Sequence, residues 1–547
     1  MAAQNKINKI FLHKWRPYTW LIILSLAVYA QTLNYGFSPL DDTWILVERL
    51  DYIKDPGNIK QFFSTPLLGA ERDYYRPLLT LSFMVDSILG EGKPFYYHLT
   101  NILLHAICSI LVFILLQKFS ISRSKAFLFS LVFAIHPIFV FNVAWIPGRN
   151  DILMTIFLIL SMLFFLDYHK KGKLIWFIIH LVTMSLALLT KETSVLIPVV
   201  ALLYAIFFPF NKKYKYFITI LSWIVLTGSW FYLRSLVLSD ILGISDILSW
   251  KTLVNILQSN VIAAGKIFVP VFITGKFPLW IGIISILLLL VSTFFMKIER
   301  IKLVLYGIGW FILCITLPAA FKGEFNDWWL YAAMIGVFIL IGQLKVAFRN
   351  EYIPLFLIMI LVGIFVVLTI HRNEIFKDEI SFANYYLRSN PDNPTSLYFR
   401  GVSHAKNKNH KAAIRDLTKV LELKPGYTNA YYNRAVNYFR LKEFRKSIED
   451  LNYVLKNSPP VPEDYYIRGI SYFYIGEFQK AYDDLTICFR LSSQNPMAFY
   501  YMGLSCYELG KYDEGLDYLH KARERGCDVN PIVVNRFLDK KMKVVDN

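Results

Sequence analysis

Charge is scarce in this chain. Of its 547 residues only 18% are Asp, Glu, Lys or Arg, against about a quarter in an ordinary soluble domain, which excludes a conventional cytosolic enzyme. Acidic residues are the scarcer sign, 40 against 58 Lys plus Arg, for a formal net charge of +18. The excess is not gathered into a nucleic-acid patch. Only 26 basic and 21 acidic side chains follow residue 376, so most of it sits earlier, in short loops between apolar runs. Cysteine is also scarce: Cys108, Cys314, Cys488, Cys506 and Cys527 form no CxxC pair, which argues against a zinc ribbon or a disulfide framework.

What the chain has instead is apolar length. Hydrophobic residues make up 55% of it and aromatic residues 16%, and a helix needs about 20 apolar residues to cross a bilayer. Eleven stretches are expected to span, at 18–37, 96–117, 124–144, 151–167, 173–190, 194–210, 215–237, 279–296, 303–320, 328–344 and 352–371. Basic clusters at Lys14/Arg16, Lys118/Arg123/Lys125, Lys170/Lys171/Lys173, Lys212/Lys213/Lys215, Lys297/Arg300/Lys302 and Lys345/Arg349 mark alternate loops. They predict a cytoplasmic N-terminus and an extracytoplasmic C-terminal part. The first run is long and leads straight into the others, so no cleavable signal peptide is expected. Residues 252–274 carry Gln258, Asn260, Lys266 and Pro270 and are expected to be interfacial or re-entrant. The stretch 38–95 reads as a long polar extracytoplasmic loop with helical patches at 43–50 and 58–64.

Beyond residue 394 the sequence repeats. Gly401, Ala435, Gly469 and Gly503 share a 34-residue step, as do Leu417, Leu451, Leu485 and Leu519. This looks like the tetratricopeptide repeat, a helical hairpin with small residues where its two helices meet. Four units are expected over about 394–527, with flanking helices at 377–390 and 531–543. Arg400, Arg434 and Arg468 each precede an aspartate by 16 residues, and in the fourth unit both partners vanish together as Met502 and Tyr518. Joint loss predicts ion pairs within each unit. Tyr398, Tyr432, Tyr466 and Tyr500 keep the same step and are candidates for an acceptor-binding groove.

Ionisable groups recur around the first half of the apolar region. Asp41 and Asp42 follow the first span; Tyr75 and Arg76 lie in the long loop. His98, Asn101 and His105 recur at helical spacing, His136 precedes Pro137, Arg149 and Asp151 follow Gly148, and Lys191 adjoins Glu192. Each alone could be a cap or a helix-packing contact. Together they suit a lipid-phosphate substrate, with an aspartate as general base for an acceptor hydroxyl. His98 and His105 are seven residues apart and no Asp-x-Asp accompanies Asp41, so neither a metal nor another cofactor is expected.

In their order, these motifs resemble the transmembrane and tetratricopeptide repeat-containing O-mannosyltransferases and their bacterial relatives, in the GT-C class of glycosyltransferases that use polyprenyl-phosphate-linked sugars. The pattern departs at Phe139 and Phe141, where the family often has His and Glu. It departs again at Trp328, where the family has Arg after an acidic residue. The resemblance implies an all-α chain, with a GT-C-like transmembrane domain over 1–375 and a repeat solenoid over 376–547. It implies Asp41 as base with Asp42 as its partner. Arg76, Arg149 and Arg234 are then candidate phosphate ligands, with Tyr75, His98, Asn101, His105, His136, Asp151, Lys191 and Glu192 lining the site. One base without a leaving-group acid points to a single inverting displacement. The expected partners are a polyprenyl-phosphate-linked sugar, a protein acceptor on the repeats and the lipid bilayer, with no nucleic acid. The expected location is a bacterial cytoplasmic (inner) membrane. Transfer of a whole lipid-linked glycan, transfer to a lipid or glycan, and a non-catalytic repeat scaffold are the alternative readings.

Overall fold

Proline, serine and glycine set the helix boundaries. Pro77 and Pro94 open the helices Pro77–Gly90 and Pro94–Lys118, where a missing N–H costs nothing. Ser122 caps Arg123–Ile135 by accepting from Lys125 N, and Gly172, at φ +69°, closes Arg149–Lys171. The computed structural model describes residues 11–38, 42–67, 74–238, 249–270, 277–295, 297–322, 325–345, 352–491 and 495–545. The chain is all-α. Among the described residues, the strand pairing is one short antiparallel contact, Lys297–Ile298 with Leu344–Lys345. Contacts divide the chain into residues 1–382 and 383–547.

In the first unit, Pro94–Lys118 is the central helix. It packs against Arg16–Tyr29, Arg123–Ile135 and Arg149–Lys171, and its buried face carries His98, Asn101, His105 and Val112. Glycine is required at 148. A Cβ there would lie 2.3 Å from Phe141 O and 2.7 Å from Asn142 O, so only a residue without one lets the turn close against 141–142.

Five helices among the described residues are long and apolar enough to cross a membrane: Pro94–Lys118, Ile146–Lys171, Lys213–Val237, Ile301–Phe321 and Met359–Phe376. A sixth would be the pair Arg123–Ile135 and Pro137–Val143, bent by 44° at His136–Pro137. Leu174–Leu188, Glu192–Phe207, Leu279–Ser292 and Asp327–Gly342 are shorter apolar helices. So is Pro77–Gly90, which corrects the expected polar loop 38–95. Its Leu79 and Phe83 are fully buried, and its polar Asp86 and Ser87 are buried with them. Those two side chains lowered the apparent hydropathy of a helix that packs in the core. The helix Trp250–Phe268 covers the first part of the segment 252–274, whose residues 271–274 lie outside the described residues.

The second unit is a stack of four helical hairpins. They are Pro394–Lys406 with His410–Leu423, Thr428–Arg440 with Phe444–Asn457, Pro462–Tyr474 with Phe478–Leu491, and Pro496–Glu508 with Tyr512–Glu524. Glu379–Ser389 spans the division at its start and Pro531–Val545 follows. The small-residue position faces the periodic leucine: a Cβ at Gly401 or Gly469 would stand 3.1 Å from Leu417 Cγ or 2.9 Å from Leu485 Cγ.

Arg400, Arg434 and Arg468 grip Asp416, Asp450 and Asp484 with Nε and Nη2 at 2.7–2.8 Å. Each also uses Nη1 to reach 16 residues back, to Asn384, Thr418 and Asn452. The arginines therefore tie each hairpin to the preceding one as well as to itself. In the fourth unit Met502 and Tyr518 join one apolar cluster instead. Asp450→Ala strips the half-buried Arg434 of its carboxylate and should cost about 1.5–3 kcal/mol. Amide exchange across Thr428–Asn457 should accelerate correspondingly; unchanged exchange would show that the ladder does not stabilise the stack.

Candidate functional site

The Gly148 turn delivers Arg149 into the interior, where it is 0% exposed. Its Nη2 lies 2.5 Å from Asp86 Oδ2 and donates to Tyr97 O at 2.9 Å. Nε donates to Asn101 Oδ1 at 2.7 Å and Nη1 to Ser82 O at 3.1 Å. Thr100 donates to the other oxygen of Asp86 at 2.6 Å. With every nitrogen engaged, Arg149 is a buried strut rather than the open phosphate ligand expected from its motif. Asn101 extends the strut by donating to Val143 O, Trp145 O and Ile146 O, each at 3.2 Å.

Two further pairs lie alongside. Lys191 Nζ contacts Asp151 Oδ1 at 2.5 Å and Asn150 Oδ1 at 3.0 Å. Arg76 grips Glu192 through Nε and Nη2, at 2.7 Å for the shorter contact, and its guanidinium covers the Tyr74 ring at 4.2 Å. Burial opposes the charge of Glu192, but the Arg76 guanidinium outweighs it and holds the carboxyl below its ordinary value. Tyr75, between Tyr74 and Arg76, is buried. The pairs of Lys191 with Asp151 and of Arg76 with Glu192 thus meet at the adjacent residues 191 and 192, and Arg76 is committed to a carboxylate.

Two of the three histidines have both ring nitrogens engaged by internal hydrogen bonds. His105 bonds Ala134 O through Nε2 at 3.0 Å, so its Nδ1 accepts from Tyr331 Oη at 2.7 Å. His136 Nδ1 accepts from Ile138 N at 3.2 Å, so Nε2 carries the proton to Ile267 O at 3.1 Å. His98 Nε2 contacts Gly36 O at 3.4 Å. His105 and His136 hold backbone together at helix breaks, which leaves neither with a free nitrogen.

Asp41 lies outside the described residues. Asp42 is 1% exposed, and its Oδ2 accepts from Ser38 N at 2.7 Å, closing the chain that enters from the His98 contact. Arg234, near the end of Lys213–Val237, is 8% exposed and makes no ion pair among the described residues. Of the three arginines expected to bind phosphate, it is the one without a carboxylate partner among the described residues. The repeat tyrosines are half-buried. Tyr398 accepts from Asn433 Nδ2 at 3.1 Å and packs on Tyr427 with ring centroids 5.0 Å apart.

A cluster outside the sequence motifs joins this region. Asp327 is bonded by Lys266 and, at 3.1 Å, by Arg372 Nη2. Two cations on one carboxylate leave an excess positive charge. The signal in sequence was a lysine in an otherwise apolar stretch and an arginine ending the last span, but nothing local pairs residues 266, 327 and 372. Beside the cluster the departures from the family pattern meet: the Phe141 and Trp328 rings lie 6.2 Å apart, and Asn142 Nδ2 donates to Trp328 O at 3.2 Å. Phe139 packs against Tyr331 at 4.9 Å and His136 at 5.5 Å. Among the described residues no group of three or more His, Cys, Asp or Glu converges as a metal site would.

Residues 82–232 match the model of the dolichyl-phosphate-mannose-protein mannosyltransferase family. Residues 383–428 match a tetratricopeptide repeat and 448–522 match anaphase-promoting complex, cyclosome, subunit 3. The chain is 30% identical over 201 residues to human Protein O-mannosyl-transferase TMTC3, covering 35% of this chain and 21% of that protein. It is 30% identical over 210 residues to TMTC1 of Mus musculus, covering 35% and 22%. It is 31% identical over 203 residues to human TMTC2, covering 35% and 24%. The matched region therefore spans less than a quarter of these relatives' length. A crystal structure of MamA aligns with 27% of this chain and 85% of its own at 25% identity, with a TM-score of 0.26.

Proposed function

We propose that the chain is a membrane glycosyltransferase that moves a sugar from a polyprenyl-phosphate-linked donor to a hydroxyl of a protein, inverting the anomeric carbon. One observation carries this reading. The span that matches the mannosyltransferase model, 82–232, contains Asp86, Arg149, Asp151, Lys191 and Glu192, the buried charges expected of a lipid-phosphate enzyme, and Arg234 follows two residues beyond it. The relatives it resembles are named as protein O-mannosyl-transferases, which supports a protein acceptor.

In this mechanism the Asp41 carboxylate takes the hydroxyl proton while the oxygen bonds to the anomeric carbon. The bond from that carbon to the phosphate oxygen breaks, and its electron pair stays on the phosphate. The leaving phosphate gains negative charge, so a cation serves it better than an acid. The reading places the chain in a bacterial cytoplasmic membrane, with the site and the repeats on the outer side.

Comparing the glycoproteomes of a wild-type strain and one lacking this chain tests the reading. Loss of a single sugar type from Ser or Thr of a defined protein set is expected, and identical glycoproteomes would overturn it. The repeats should act as a tether that raises acceptor concentration, about millimolar for short linkers. A chain ending at residue 382 should therefore still hydrolyse donor yet modify its protein acceptor poorly. Loss of donor turnover as well would make the repeats part of the catalytic fold.

A further inference from the structure

The helices Trp250–Phe268 and Leu279–Phe295 form a hairpin in backbone contact. A Cβ on Gly282 would stand 2.0 Å from Val261 O, and one on Gly265 2.9 Å from Gly282 N. Close approach leaves a groove along one side of the second helix, with a cavity volume of about 440 Å³, lined by Phe268, Trp280, Ile284, Ser285, Leu288 and Ser292. The lining steps by three or four residues, so it is a single helix face. It is almost wholly apolar, and its volume falls within the range of about 300–1,000 Å³ that small-molecule sites occupy.

A charged cluster adjoins the Phe268 end of this groove along the chain. Lys266 lies one turn before Val269, and its Nζ sits 5.6 Å from the Phe277 ring and 5.5 Å from the Phe325 ring. Arg372 Nη1 donates to Pro270 O at 3.4 Å, just beyond the groove wall. Arg372 is 7% exposed, and its Nε is buried without a hydrogen-bond partner among the described residues. Asp327 neutralises only one of the two cations. A buried guanidinium with an unused donor is costly, and an excess cation beside it calls for an anion.

We propose that this groove seats the isoprenoid chain of a polyprenyl phosphate, with Lys266 and Arg372 binding its phosphate and Asp327 positioning the two cations. The assignment rests on the donor reading given above and supplies that donor's place in the chain. The net single positive charge of the cluster matches the single negative charge of a sugar–phosphate diester. When the sugar leaves, the phosphate gains a second charge and the pull of both cations grows. A single narrow apolar face suits one unbranching chain better than the paired acyl chains of a phospholipid. Free phosphate would use the cations without the groove.

The test uses the full-length chain in detergent, titrated with undecaprenyl phosphate, undecaprenol, phosphatidylglycerol or inorganic phosphate and read by native mass spectrometry. Undecaprenyl phosphate should bind the wild type tightest. Lys266→Gln and Arg372→Gln should each weaken it about tenfold or more, the loss of a charge-assisted contact, whereas Lys266→Arg should retain it. Leu288 is 65% exposed, so Leu288→Trp fills the groove without disturbing the core; it should weaken undecaprenyl phosphate and undecaprenol alike. It decides the matter even if Arg372→Gln fails to fold. Wild-type binding in Lys266→Gln and Leu288→Trp would overturn this site while leaving the donor reading intact. No preference of the wild type for undecaprenyl phosphate over phosphatidylglycerol would overturn both.

Discussion

An Asp41→Asn chain, present in membranes at the wild-type level, should transfer sugar about 100-fold or more slowly, the usual size of a lost general base. The carboxylate next to it is expected to act differently. Asp42 is buried and its Oδ2 accepts from Ser38 N at 2.7 Å. An asparagine at 42 keeps an oxygen for that N–H, while an alanine does not. Asp42→Asn should therefore reduce transfer modestly and Asp42→Ala strongly, with both chains lowering the rate of the chemical step rather than protein amount. If Asp41→Asn transferred at the wild-type rate and Asp42→Asn did not, the base would be Asp42 and the Ser38 contact would be a by-product of its burial.

The two units were not equally legible in sequence. In the repeats every stabilising contact joins neighbours at a fixed step, so periodicity displays them: Gly401 against Leu417 and Arg400 against Asp416 are both read directly. Even there the backward reach of the arginines to Asn384, Thr418 and Asn452 was missed, because the position alternates between Asn and Thr and displays no constant residue at the 34-residue step. In the first unit the ionic motifs are visible but their partners are not. Arg149 finds Asp86 and Lys191 finds Asp151 across 63 and 40 residues, separations that only tertiary packing fixes. Counting Asp86 as an exposed charge hid the helix Pro77–Gly90 that carries it. The same packing accounts for two departures at once. Phe141 and Trp328 touch, so an acid and an arginine, the residues the family pattern has at these positions, have been exchanged for an aromatic pair. The exchange removes one charge of each sign and leaves the balance of the region unchanged.

Arg149→Met should cost about 3–5 kcal/mol, because it leaves the 2%-exposed Asp86 charged and unpaired in the interior. Against a total stability of about 5–15 kcal/mol, that is enough to deplete the folded protein from membranes. Asn101 and the carbonyls of Tyr97 and Ser82 would lose their donor as well, so the loss should spread to the segment 143–146 that Asn101 holds. The double variant Arg149→Met/Asp86→Leu removes both charges together, and apolar replacements of buried ion pairs are often neutral or stabilising. It should recover most of the folded protein, measured as monodisperse chain in detergent and by its thermal midpoint. The reverse pattern would restore Arg149 to the role its motif suggests. A stable Arg149→Met chain that no longer bound polyprenyl phosphate would make the arginine a ligand, and Asp86 merely the group that holds it when no phosphate is bound.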